Sequence, residues 1–283
     1  GPTLNSDYFT SSFSSLNTKL TEIASTICGG TVTVQKQVKN ANGGYDATNG
    51  WDYTATNAVV NNKTTAGNGI AEFKYENAPK TTTITETVKP GFSVESISCT
   101  KNNGQTANAT VNGASVSLTV SANDIISCIY KNTQDTGTLQ VKKVATGGND
   151  TFGFTSNSAL GNFNLTTVAG AAQTSVATVN TGTYDITETA LAGWTLTGIS
   201  CTGATPTVAG NKVTVAVAKG ANVVCTYTNA RQNATLTVVK NTVGGDATFG
   251  FTSNSALGNF NLTTVGGTKS TAATSVPTGT YDV

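Results

Sequence analysis

The chain contains no histidine and no methionine in its 283 residues. Without histidine there is no Ser-His-Asp or Cys-His nucleophile, no imidazole base and no histidine ligand for a catalytic zinc. Charge is scarce too. Only 11% of residues are Asp, Glu, Lys or Arg, and they nearly cancel at a net +1. No polybasic face is available to collect phosphates, which excludes nucleic acid as a partner class. No apolar run approaches the roughly 20 residues of a membrane span, and no signal peptide is visible. Any export signal or anchor is therefore expected outside this stretch, and position 1, a glycine, is expected not to be the native start. An enzyme would need a cluster of inward polar residues in one domain that its neighbour lacks, and there is none. No enzyme activity, no cofactor and no metal are expected.

Threonine makes up about one residue in five, with many Val, Asn and Gly. The β-branched residues favour strands and Asn and Gly favour tight turns, so the composition is that of an all-β extracellular protein. The chain also repeats itself. Residues 151–168 read TFGFTSNSALGNFNLTTV, residues 248–265 read the same, and Tyr184 and Tyr281 keep that offset. A period of this size is one small domain copied in series, and serial domains set distance and rigidity rather than turnover.

Strand starts align at Thr31-Val32-Thr33-Val34-Gln35-Lys36, Thr138-Leu139-Gln140-Val141-Lys142-Lys143 and Thr235-Leu236-Thr237-Val238-Val239-Lys240. In each, a lysine follows two apolar residues on one face. Short period-two segments between Gly and Asn turns predict tandem Ig-like β-sandwiches. The boundaries read as 30–134, 137–231 and 234–283, with the last stretch matching only the first half of a domain. Its second half is expected beyond residue 283 or from another chain. The segment 11–28 predicts one amphipathic helix, with Phe13, Leu16, Leu20, Ile23 and Ile27 on a stripe that ends at Gly29-Gly30.

Five cysteines are present. Cys99 with Cys128 and Cys201 with Cys225 fall at matching places, which predicts one disulfide per domain and an oxidising compartment. The alternative is buried free thiols. Cys28 is left over, either paired upstream or free.

Two further positions repeat with the lysine: a glutamate (Glu86 in Ile84-Thr85-Glu86-Thr87, Glu188 in Ile186-Thr187-Glu188-Thr189) and an asparagine (Asn132 after Cys128 and Tyr130, Asn229 after Cys225 and Tyr227). Parity puts Lys, Glu and Asn on the apolar, cystine-bearing faces. Burying them is costly unless they pair. A desolvated lysine gives up its proton readily, and the neutral amine can attack the asparagine amide, leaving an intramolecular isopeptide bond. The plainer alternative is a buried Lys–Glu ion pair.

The strand lysine, the central E-T-x-x-P-G-aromatic segment and the terminal strand asparagine resemble the CnaB-type, prealbumin-like (transthyretin-like) domains of bacterial surface adhesins and pilins. The resemblance implies bond donor, proton shuttle and acceptor at Lys36, Glu86 and Asn132, and at Lys143, Glu188 and Asn229, with Lys240 a donor lacking its partners. Domain two departs from the pattern, with Leu191-Ala192 in place of Pro. Residues 1–29, with Asp7-Tyr8-Phe9 and the helix, resemble the last strand and helix of a von Willebrand A domain. The implied function is a stalk or filament module of an exported, cell-surface protein whose partners are its own further domains or copies. The alternative is an adhesin domain that binds carbohydrate, a host protein or calcium. Asp150 and Asp246 lie in loops that suit calcium, but without EF-hand spacing. Trp51 and Trp194 read equally as core residues or sugar platforms.

Overall fold

The computed structural model describes residues 29–283. The helix expected over 11–28, the upstream-domain resemblance it carries and Cys28 lie outside them. The described residues are all β, and they divide between Asp135 and Thr136 into two compact units.

Domain one runs through β1 (Gly30–Lys39), β2 (Tyr45–Ala47), β3 (Asp52–Ala55), β4 (Asn62–Thr64), β5 (Ile70–Tyr75), β6 (Lys80–Glu86), β7 (Phe92–Lys101), β8 (Ala109–Asn112), β9 (Ser115–Val120) and β10 (Ile125–Gln134). One sheet is ordered β2-β1-β10-β7, with β5 also on β1; the other is β4-β3-β6-β9-β8. The first and last strands are therefore neighbours. They run parallel, with Lys36 opposite Tyr130 and Val38 opposite Asn132. Alternation drives the packing. Val32, Val34 and Lys36 of β1 are buried while Thr33 and Gln35 between them are half-buried. Ile84, Val116, Ile126, Tyr130, Phe73 and Tyr75 meet them in a single core.

Domain two repeats the plan with β11 (Thr136–Thr146), β12 (Thr151–Ser156), β13 (Phe163–Thr166), β14 (Ala171–Gln173), β15 (Ala177–Asn180), β16 (Gly182–Glu188), β17 (Trp194–Thr202), β18 (Thr207–Ala209), β19 (Lys212–Val217) and β20 (Asn222–Arg231). Its sheets are β14-β11-β20-β17, with β15 also on β11, and β13-β12-β16-β19-β18. Again first and last strands run parallel, with Lys143 opposite Tyr227 and Ala145 opposite Asn229. The third copy supplies β21 (Asn233–Leu236), β22 (Val239–Asn241), β23 (Thr248–Phe251), β24 (Phe260–Thr263), β25 (Thr268–Ser270) and β26 (Thr274–Pro277), paired two by two.

Two glycines are required by close approach. A Cβ on Gly30 would sit 2.3 Å from Val120 Cγ1, and one on Gly137 would sit 2.6 Å from Val217 Cγ1. Both mark the place where the entering chain crosses the end of the opposite sheet.

Candidate functional site

In domain one, β1 delivers Lys36, β6 delivers Glu86 and β10 delivers Asn132 to one point between the sheets. All three are at most 3% exposed. Lys36 Nζ donates to Glu86 Oε2 at 2.8 Å, and Asn132 Nδ2 donates to Glu86 Oε1 at 2.5 Å. Tyr53, from β3, donates its hydroxyl to the same Oε2 at 3.0 Å. Asn132 Oδ1 is buried and has no hydrogen-bond partner. The backbone below the lysine is pinned as well: Lys36 N donates to Gly69 O at 2.7 Å.

Domain two brings Lys143, Glu188 and Asn229 together in the same way, each at most 2% exposed. Lys143 Nζ donates to Glu188 Oε2 at 2.9 Å, and Asn229 Nδ2 donates to Glu188 Oε1 at 2.6 Å. Here Lys143 Nζ also touches Asn229 Oδ1, the carbonyl end of the amide it would attack. The residue matching Tyr53 is Phe154, which has no hydroxyl.

An aromatic ring lies beneath each lysine. Lys36 Nζ is 4.0 Å from the Trp51 ring centre, Lys143 Nζ 4.2 Å from Phe152 and Lys240 Nζ 4.3 Å from Phe249. The rings close the site to water and attract whatever positive charge remains. Burial pulls the Lys36 amine down from 10.5 to about 8, against the opposing hydrogen bond and charge of Glu86. Burial lowers Lys143 likewise, against Glu188. Lys36, so lowered, is a neutral nucleophile for part of the time near physiological pH.

A β-bulge lies opposite each asparagine. Along β10, Lys131 pairs with Ser96 but Asn132 pairs with Val94, skipping Glu95. Along β20, Thr228 pairs with Gly198 but Asn229 pairs with Leu196, skipping Thr197. Such a bulge bends the strand that carries the extra residue, here β7 and β17, while β10 and β20 keep their alternation through the asparagines. The last strands are also bonded sideways. Cys99 faces Cys128 across β7 and β10 with an S–S distance of 2.02 Å, and Cys201 faces Cys225 across β17 and β20 at 2.06 Å.

Sequence reasoning missed Tyr53, the rings beneath the lysines and the bulges. The ring signal was present: Trp51 immediately precedes β3, and Phe152 and Phe249 are the second residues of β12 and β23. Trp51 and Trp194 are core residues, 2% and 7% exposed. Asp150 accepts the Trp194 indole at 3.0 Å, and Asp246 accepts the backbone N–H groups of Gly266 and Gly267 at 2.8 Å, so both carboxylates hold their own loops. Lys240 is half-buried over Phe249, and among the described residues its amine has no hydrogen bond to a glutamate or an asparagine. Among the described residues no helix is long and apolar enough to cross a membrane.

A model of the prealbumin-like fold domain matches the chain twice, at residues 32–134 and 139–231. No curated protein matches it by sequence. Among solved structures, the TIE protein of Bacillus anthracis is 16% identical with a TM-score of 0.48, over 90% of this chain and 44% of that one. The major pilin T-13 of Streptococcus pyogenes serotype GAS131465 is 13% identical with a TM-score of 0.42, over 71% and 97%. A C-terminal fragment of the pilus adhesin SpaC from Lactobacillus rhamnosus GG is 12% identical with a TM-score of 0.38, over 71% and 97%. The chain thus spans less than half the length of the TIE protein.

Proposed function

The chain belongs to the prealbumin-like fold domain family, and from that premise we propose that it is a structural stalk or filament module of an extracellular bacterial surface protein, with each complete domain tied by its disulfide and by a Lys–Asn isopeptide bond. The observation that carries this reading is the buried Lys–Glu–Asn cluster. It occurs in both domains, and each time it bridges a first and a last strand that already lie side by side.

The chemistry balances without a cofactor. The neutral lysine Nζ attacks the asparagine Cγ, and the glutamate takes a proton from the attacking nitrogen and passes it to Nδ2. The C–N bond to Nδ2 breaks and ammonia leaves. The product is one secondary amide. The fold contributes contact distance and dryness, which together are worth several orders of magnitude in rate. The disulfides support a site outside the cytoplasm, and the partners are further domains or copies of the same protein.

Intact mass of residues 30–231 tests the reading. Each isopeptide removes one ammonia, about 17 Da, beyond the loss of two hydrogens per cystine. Lys143→Ala and Asn229→Ala are each expected to abolish one of the two ammonia losses and leave the other. A mass showing cystine losses alone removes the cross-linking chemistry.

A further inference from the structure

The two clusters differ at one oxygen. Glu86 Oε2 accepts both Lys36 Nζ and the Tyr53 hydroxyl, whereas Glu188 Oε2 accepts Lys143 Nζ and faces Phe154 where domain one has the phenol. Oε2 is the atom placed to take the proton from the attacking lysine nitrogen. A phenol already donating to that oxygen stabilises the carboxylate and makes it a poorer acceptor of a second proton. Burial and then the Glu86 charge raise the Tyr53 phenol, so it keeps its hydrogen and continues to donate. A second difference points the same way. Lys143 Nζ reaches Asn229 Oδ1, while Asn132 Oδ1 has no partner.

We propose that Tyr53 is a positioning residue that holds the Lys36–Glu86 ion pair and delays bond formation to Asn132, so that domain two closes before domain one. This rests on the cross-linking reading above. The other groups near the amine are Tyr130, which donates to Ile84 O, and Lys89, whose Nζ lies 5.0 Å from the same Trp51 ring. Neither donates to Glu86 Oε2.

The test follows ammonia loss in each domain after the full chain is refolded from denaturant under oxidising conditions. Samples are quenched with acid at intervals and digested for peptide mass. In the wild type, domain two is expected to close about tenfold faster than domain one, the effect of one charge-assisted hydrogen bond near the low end of its range. Tyr53→Phe is expected to bring domain one to about the domain-two rate and to move its rate–pH profile. Phe154→Tyr is expected to slow domain two by a similar factor. A purely structural role for Tyr53 would alter melting but not the pH profile, and it gives no reason for the reciprocal variant to slow its own domain.

The outcomes separate the two claims. Absence of ammonia loss from both wild-type domains overturns the cross-linking reading and the delay with it. Loss from both domains, with domain-one kinetics and pH profile unmoved by Tyr53→Phe, overturns the delay alone. Should Tyr53→Phe fail to fold, unchanged domain-two kinetics in Phe154→Tyr overturn the delay on their own.

Discussion

Domains one and two enclose the same three polar side chains with exchanged rings. In domain one Trp51 meets Phe92 edge-on at 5.3 Å between centroids; in domain two Phe152 meets Trp194 edge-on at 5.2 Å. The large ring precedes β3 in one domain and begins β17 in the other. The volume packed over the lysine is kept while the strand that supplies it changes, as expected of an interior filled to crystal-like density. The domains also differ at an edge. Between Lys36 and Trp51 domain one has six more residues than lie between Lys143 and Phe152, and they form the β1–β2 hairpin. Domain two covers that end of its first strand with β14, which arrives from later in the chain.

The comparison is sharpest where a charge loses its partner. In Asn229→Ala, where no bond forms, adding Lys143→Ala strands Glu188 in the core, and domain two is expected to lose about 3–5 kcal/mol in denaturant unfolding. In Asn132→Ala, adding Lys36→Ala should cost domain one about 1 kcal/mol less, because Tyr53 still donates to Glu86. Equal losses would show that the phenol adds nothing. The disulfides, by contrast, should make the domains look alike. They close 29 and 24 residues, and chain entropy varies only with the logarithm of that number. Replacing both cysteines by serine should cost each domain about 3 kcal/mol. A gap above about 1 kcal/mol between the domains would mean that folded-state packing, not loop closure, sets the value.

The next effect depends on pH. In Asn132→Ala no bond can form and Lys36 stays titratable. Its folded value is about 8 against 10.5 for the free group, so between these pH values the unfolded chain holds a proton that the folded domain has released. Raising the pH through that window therefore stabilises the variant, by at most about 1.4 kcal/mol per pH unit, and below it the full penalty remains. The wild type, with that nitrogen in an amide, should show no such slope over the same window. The smallest effect concerns the rings. Trp51→Phe should cost about 2 kcal/mol, and adding Phe92→Trp should recover about 1 kcal/mol of it. Failure to recover would break the volume-exchange account.

Much of this was legible in period-two patterning. The alternation Val32, Val34, Lys36 put a lysine on the apolar face of a first strand, and the parity of Cys128, Tyr130 and Asn132 put the asparagine on that of a last strand. The fold class and the serial arrangement follow from the same pattern and from the copied eighteen residues. What stayed hidden depends on how the two sheets close. Tyr53 reaches Glu86 only because β3 and β6 pair with those residues opposite each other, a register that no local signal in β3 specifies. The bulges opposite Asn132 and Asn229 left a trace that went unread: the apolar phase moves from Phe92 and Val94 to Ile97 and Cys99, and from Trp194 and Leu196 to Ile199 and Cys201. The β2 hairpin was readable as a Gly-rich turn but not as an edge strand, because three residues are too few to show a period.

One feature of the topology bears on how such a domain would stretch. β1 and β10 are parallel neighbours over eight paired positions, so the end where the chain enters one strand and the end where it leaves the other lie at opposite extremes of the ladder. A pull on those two ends slides the strands along each other and strains every rung together, rather than opening the rungs in turn as in a hairpin pulled from its mouth. The cystine across β7 and β10 then keeps the segment between Cys99 and Cys128 from paying out even after the rungs fail, and at roughly 3.4 Å per residue that withholds close to 100 Å of slack.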